Sequence, residues 1–275
     1  MSTLEHVTPL GRPSCHYVLG MRIDYLDFSD GIERILTSAV DGRSEYCCVP
    51  DVNECVICHD LLEHRKIVND AFLVLSDSVI LQRTRSLLHR VKAFETFKGA
   101  ELMLRLCERA ATARIPVALI GGKNEIVLNC LVKELGSRLP NLNISFSHSP
   151  PFTPPTPAED DAVISGLKES GAKLIFVGLG CPKQERWMAR HRGFINATMI
   201  GVGAAFDFIS DEVPQSPAWV HKSGFEWLYR LTKEPKRLWK RYLLVAPRFI
   251  GLVIIDEAKR ILRFVLRIAV YSRTR

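Results

Sequence analysis

A chain of 275 residues can bury roughly three quarters of the surface that its unfolded form exposes, as one large domain or two modest ones. With 47% hydrophobic and 24% charged residues, and only 15 Pro and 17 Gly, the composition excludes a chiefly disordered, collagen-like or linker chain. The longest charge-free apolar stretches, Ile115 to Gly122 and Phe249 to Ile255, are less than half of a membrane-spanning helix, which excludes a polytopic membrane protein, and the net charge of +7 is concentrated in the C-terminus, which implies a local anionic partner there.

Strand and helix alternate along the chain. Tyr17 to Tyr25 reads as strand with a turn, and Ser29 and Asp30 can cap a helix running to about Val40. A strand from Tyr46 to Val49 feeds a helix from about Val52 to His64. Ala71 to Leu75 is a short apolar run ending in Ser76-Asp77-Ser78, the pattern of a buried strand meeting a loop, and a helix follows from about Gly99 to Arg114. Ile115 to Ile120 is another buried strand, punctuated by Gly121 and Gly122, after which Lys123 to Arg138 has helical periodicity. Asn143 to Ser147 reads as strand, and Ser149 to Pro157, with five prolines, as a loop that can continue neither element. Helix Glu159 to Ser170, strand Lys173 to Val177, helix Pro182 to Arg192 and strand Ala197 to Val202 complete the series. This order predicts an α/β fold, a Rossmann-like, mostly parallel sheet flanked by helices.

The eight Cys occur in a chain too large to need disulfide staples and without a secretory pattern over Met1 to Gly20, so they are expected to be reduced and the protein cytoplasmic. Cys55-Val-Ile-Cys58-His59 has the spacing of a haem attachment site. Val52, Val56, His59 and Leu62 or Glu63 mark successive helical turns there, and a packed helix explains the string better.

In parallel α/β sheets ligands bind beyond the carboxyl ends of the strands. The residues that fall there are Asp51 and Asn53, Asp77, Gly121 and Gly122, Phe152, Gly178 to Glu185, and Gly201 to Asp207. Gly178-x-Gly180 and Gly201-x-Gly203 let a backbone approach a diphosphate, and Pro182 suits the first turn of a helix whose start favours anions. Neither completes G-x-G-x-x-G, because the third position is Lys183 in one and Phe206 in the other, so a nicotinamide site is not expected. Asp77 can serve as a general base or as a turn-forming Asp, and Gln184 can position a sugar hydroxyl. No Asp-x-Asp or His-x-x-x-His stands at a strand end, and Glu159-Asp160-Asp161 reads as a helix start, so no metal and no cofactor are expected. A diphosphate handled without metal needs cationic side chains, which the C-terminus offers.

The blocks Gly178-Leu-Gly-Cys-Pro-Lys-Gln-Glu185, Gly201-Val-Gly-Ala-Ala-Phe-Asp207 and Phe225 to Tyr242 resemble the signatures of the WecG/TagA/CpsF glycosyltransferases, over roughly Tyr17 to Phe249. The resemblance implies an inverting, metal-independent transfer of a sugar from a UDP-sugar to a lipid-diphosphate-linked acceptor in bacterial envelope or exopolysaccharide synthesis. It implies that Asp77 is the catalytic base and Gln184 a substrate-positioning residue, that Gly178, Gly180, Gly203 and Asp207 line the nucleotide-sugar pocket, and that Arg230, Arg237 and Arg241, with Lys240 beside them, close over the diphosphate. The chain departs from the family pattern at Val49, Ser78, Thr96 and Gln215, which bears on donor preference and makes a catalytically silent binding protein of a polysaccharide assembly complex the alternative.

Residues 222 to 275 hold 14 Lys and Arg against four acids, a net of +10, which leaves the first 221 residues at −3. This predicts an α/β body over 1 to 221 and a basic helical appendage over 222 to 275. Within it, Leu252 to Val270 carries Lys259, Arg260, Arg263 and Arg267 at helical spacing among Ile, Leu, Phe and Val, the pattern of a helix lying in the surface of an anionic inner membrane on its cytoplasmic face. The other reading is a helix packed on the body or on a second subunit, giving a homo-oligomer. Nucleic acid is not an expected partner, since the body shows no reading motif.

Overall fold

The computed structural model describes residues 11–151, 156–210, 231–232, 239 and 241–273, with the backbone alone at 241–242 and 264–273. The chain opens with an antiparallel hairpin, β1 (Cys15–Val18) and β2 (Met21–Asp24). Six further strands, β3 (Glu45–Cys48), β4 (Leu73–Val74), β5 (Val117–Gly121), β6 (Ile144–His148), β7 (Leu174–Gly178) and β8 (Thr198–Gly201), form one sheet in the order β4-β3-β8-β7-β5-β6. Every pairing in that sheet is parallel. The predicted α/β architecture holds, and the hairpin stands outside the main sheet.

Burial on both faces explains why the central strands read as unbroken apolar runs. Val117, Leu119, Leu174 and Phe176 enter one core, covered by α1 (Phe28–Val40), α5 (Gly99–Ala113) and α6 (Glu125–Arg138). Ala118, Ile120, Ile175 and Val177 enter the other, covered by α2 (Val52–Asp60), α3 (Leu62–Asp70), α7 (Pro157–Glu169) and α8 (Lys183–His191). Helix starts are set by local chemistry. Asp27, two residues before the expected cap, accepts the Asp30 N–H and begins α1. Thr156 and Glu159 form a reciprocal capping box that begins α7 at Pro157.

Two stretches differ from the sequence expectation. The single helix expected over Val52 to His64 is two, because Leu61 adopts an extended conformation (φ −116°, ψ 99°) between α2 and α3. A helix not foreseen, α4 (Val79–His89), follows β4 with its pattern reversed: Val79, Ile80 and Leu87 are exposed while Gln82 and Arg85 are buried.

The hairpin is fastened to the edge of the sheet by a buried ion pair. Arg22 Nε lies 2.9 Å from Asp24 Oδ1, and the guanidinium also donates to the Asn69 and Ala71 carbonyls. Asp24 Oδ2 accepts the Val74 N–H at 2.9 Å, so a hairpin side chain satisfies a donor of edge strand β4. Burial raises the Asp24 carboxyl pKa, against the lowering effect of Arg22.

After β8 come the short helix α9 (Ala205–Ile209) and, later, a π-helical turn (Arg241–Val245) leading into α10 (Ala246–Arg273). Phe249 is buried against the α2 side of the body, and both Arg248 terminal nitrogens donate to the Asp60 carboxylate at 2.7 Å. Beyond that seat Ile250, Ile254, Ile255, Ile261 and Leu262 are exposed, as are Lys259, Arg260 and Arg263. Among the described residues no helix is long and apolar enough to cross a membrane.

Candidate active site

Because the six strands of the main sheet run the same way, the six loops after them share one edge. Four of the helices that start there carry a side-chain cap: Asp51 accepts the Glu54 N–H before α2, Ser78 the Leu81 N–H before α4, Asn124 the Val127 N–H before α6, and Thr156 the Glu159 N–H before α7. The start of α8, after Gly178-Leu-Gly-Cys-Pro182, has none. Lys183 is exposed beside that start, and the first turn of α8 also holds the buried Glu185.

The predicted residues gather into two groups. In the first, the Asp77 N–H donates to the Pro50 carbonyl at 3.0 Å, which ties the loop after β4 to the loop that carries Asp51 and Asn53. Asp51, Asn53 and Asp77 are all half-buried. In the second, the Gly122 N–H donates to the Gly178 carbonyl, and Gln184 links two loops: its Oε1 accepts the Gly203 N–H at 3.1 Å and its Nε2 donates to Glu185 Oε1 at 2.7 Å. Gly121 has φ +127°, and a Cβ there would stand 2.5 Å from the Gly178 oxygen, so only glycine lets β5 and β7 end this close together. Gly180 lies in the loop before α8, and Asp207 is half-buried on α9.

Gln184 was expected to face a sugar hydroxyl, yet its amide is buried and engaged at both ends within the protein. Phe152, Arg230, Arg237 and Lys240 lie outside the described residues, as do Gln215 and the block from Phe225 to Arg230. Arg241 is described by its backbone alone, at the start of the π-helical turn.

Beneath the rim, joining its two groups, is a cluster that the sequence reading did not find. Glu54 of α2, His64 of α3, Cys181 of the loop after β7 and Glu185 of α8 each bring a donor atom to within 4.8 Å of the others. Burial pushes the Glu54 carboxyl up to about 8 and, with Glu54 nearby, the Glu185 carboxyl up to about 8 as well; it also lowers His64 and raises Cys181. Cys55 and Cys58, by contrast, are buried in α2, with Cys55 Sγ donating to the Val18 carbonyl, and His59 is exposed beside Asp60. They are packed as a helix, as expected, and all eight cysteines are free thiols.

Compared with protein families, the chain matches the glycosyl transferase WecG/TagA/CpsF family over residues 16–263. The chain belongs to that family. Membership in the WecG/TagA/CpsF family makes the protein a glycosyltransferase, with a sugar donor and an acceptor as its substrates. The loops after β7 and β8 hold two of the three blocks that carry the resemblance, and they meet through Gln184.

Proposed function

We propose that the protein transfers a sugar from a UDP-sugar to a lipid-diphosphate-linked acceptor, with inversion, at the cytoplasmic face of an inner membrane, in exopolysaccharide or cell-envelope polysaccharide synthesis. The observation that carries this reading is Asp77, a half-buried carboxyl held by its own backbone at the carboxyl edge of a parallel sheet in a chain of glycosyltransferase family. A carboxylate there takes the proton of the acceptor hydroxyl as the new bond forms at the anomeric carbon and the bond to UDP breaks. The departing diphosphate gains charge, which the uncapped start of α8 with Lys183, and the cations Arg230, Arg237, Lys240 and Arg241, meet. Gly178, Gly180, Gly203 and Asp207 form the nucleotide-sugar wall, with Asp51, Asn53, Gly121, Gly122 and Phe152 around it. No metal takes part at the reacting carbon. Gln184 acts by holding the Gly203 loop against the Gly178 loop.

Asp77→Asn tests the reading. It is expected to lower kcat by about 10²- to 10⁴-fold while UDP affinity, measured by calorimetry, stays within twofold. Near-normal turnover removes Asp77 from the mechanism. Wild-type protein that binds UDP but moves no sugar to any lipid diphosphate is the silent binding protein instead.

The same reading assigns α10 to the membrane. On a helical projection Ile250, Ile254 and Ile261 share one exposed side, Ile255 and Leu262 lie about a quarter turn round from it, and Lys259, Arg260 and Arg263 lie around the other side. An apolar stripe bordered by cations suits a helix lying flat in an anionic lipid surface, at about 1 kcal/mol per basic residue beside the leaflet.

A further inference from the structure

We propose that Glu54, His64, Cys181 and Glu185 hold one divalent transition-metal ion of the zinc class, a structural ion that fastens the two halves of the rim to each other. Three observations support it. The four donors come from four separate elements and converge within 4.8 Å. In a tetrahedral zinc site the donors stand ~3.3–3.8 Å apart, so side-chain movements of about 1 Å complete the coordination shell. Glu54, His64 and Glu185 are at most 2% exposed. Glu54 Oε1, both ring nitrogens of His64 and Glu185 Oε2 are buried without a hydrogen-bond partner, and His64 Nε2 lies 3.5 Å from Glu54 Oε1. Buried polar atoms seldom remain unsatisfied, and here the orphaned lone pairs face one another.

A divalent ion satisfies them together. It takes a nitrogen lone pair from His64 and takes the place of the protons that burial keeps on the Glu54 and Glu185 carboxyls and on Cys181 Sγ, all of which leave to solvent as the carboxylates and thiolate form. Sulfur and imidazole select a zinc-class ion over magnesium or calcium, which favour oxygen shells. Glu185 Oε1 accepts from Gln184, whose other end holds Gly203, so this bond orients the ligand from outside the shell. The ion sits behind the Gly178 loop and is separate from sugar transfer, so the proposal does not depend on which sugar is moved, or on transfer at all.

The test uses the full chain, purified without an affinity tag and stripped by a chelator, with Zn²⁺ alone and Co²⁺ alone as probes. The expected result is one equivalent of Zn²⁺ per chain by elemental analysis after dialysis, and a Co²⁺ complex with a sulfur-to-cobalt charge-transfer band. Cys181→Ser is expected to abolish that band, and His64→Gln to weaken Co²⁺ binding at least ~tenfold. Cys130→Ser, at an exposed thiol, is expected to change neither. Binding of less than one equivalent of Zn²⁺, absence of the band in the wild-type chain, or its persistence in Cys181→Ser overturns the proposal. Should a ligand variant fail to fold, the wild-type stoichiometry and band decide the matter.

Discussion

Gly201 has no side chain to spare because Gln184 and Met188 occupy the place where one would stand: an added Cβ would meet Gln184 Nε2 at 2.9 Å and Met188 Cε at 3.0 Å. Gly201→Ala therefore pushes Gln184 off the Gly203 N–H, with an expected cost of about 1–3 kcal/mol from overpacking. Gln184→Ala makes room instead but leaves the Gly203 N–H without its acceptor, at about 1–3 kcal/mol. Thermal unfolding of both variants checks these costs. UDP affinity should fall in both, because both free the Gly203 loop; unchanged affinity would separate Gln184 from the nucleotide wall. The placement of Asp77 and Gln184 beyond strand ends was legible in the sequence because each directly follows, or nearly follows, a recognisable buried strand. The engagement of Gln184 was not legible, since its partners are set by how two loops meet.

Among the elements, the buried Arg22–Asp24 pair fixes edge strand β4, whose end leads to Asp77. Arg22→Met leaves Asp24 buried beside no cation and is expected to destabilise the protein by about 3–5 kcal/mol in urea unfolding. The exposed Arg248–Asp60 fork is the weaker fastening. Hydrogen bonds from Arg248 hold the Asp60 carboxyl below its usual range, so its contribution is present above about pH 4 and is lost as pH falls through the lower folded-state value. Hydrogen exchange over residues 246–253, corrected for intrinsic rates, should rise in acid in the wild type, and Asp60→Asn should show the faster rate already at neutral pH. Element type was readable wherever burial follows period. β5 and β7 are apolar throughout because both faces are covered, whereas α4 escaped notice because it exposes Val79, Ile80 and Leu87 and buries Gln82 and Arg85. The Glu54–His64–Cys181–Glu185 cluster left no linear spacing to find, since the break at Leu61 turns α3 back toward the others.

For the molecule as a whole, the body folds around two cores on either side of one sheet, and the tail contributes Phe249 to one of them. Removing residues 222–275 is expected to abolish both vesicle binding and transfer; an active truncation that stays in solution would exclude the appendage from the reaction. A milder change separates the roles. Ile254→Glu with Ile261→Glu lies on exposed positions, so stability should move by less than about 0.5 kcal/mol per site while retention on anionic vesicles falls. Retention equal to wild type would remove the stripe from the membrane reading.

Helix α2 spans nine residues, about 13 Å of stiff rod, with Asp60 gripping the tail at one tip and Asp51 at the other. A displacement of α10 at Arg248 therefore reaches the strand-end rim through one exposed ion pair and one rigid helix.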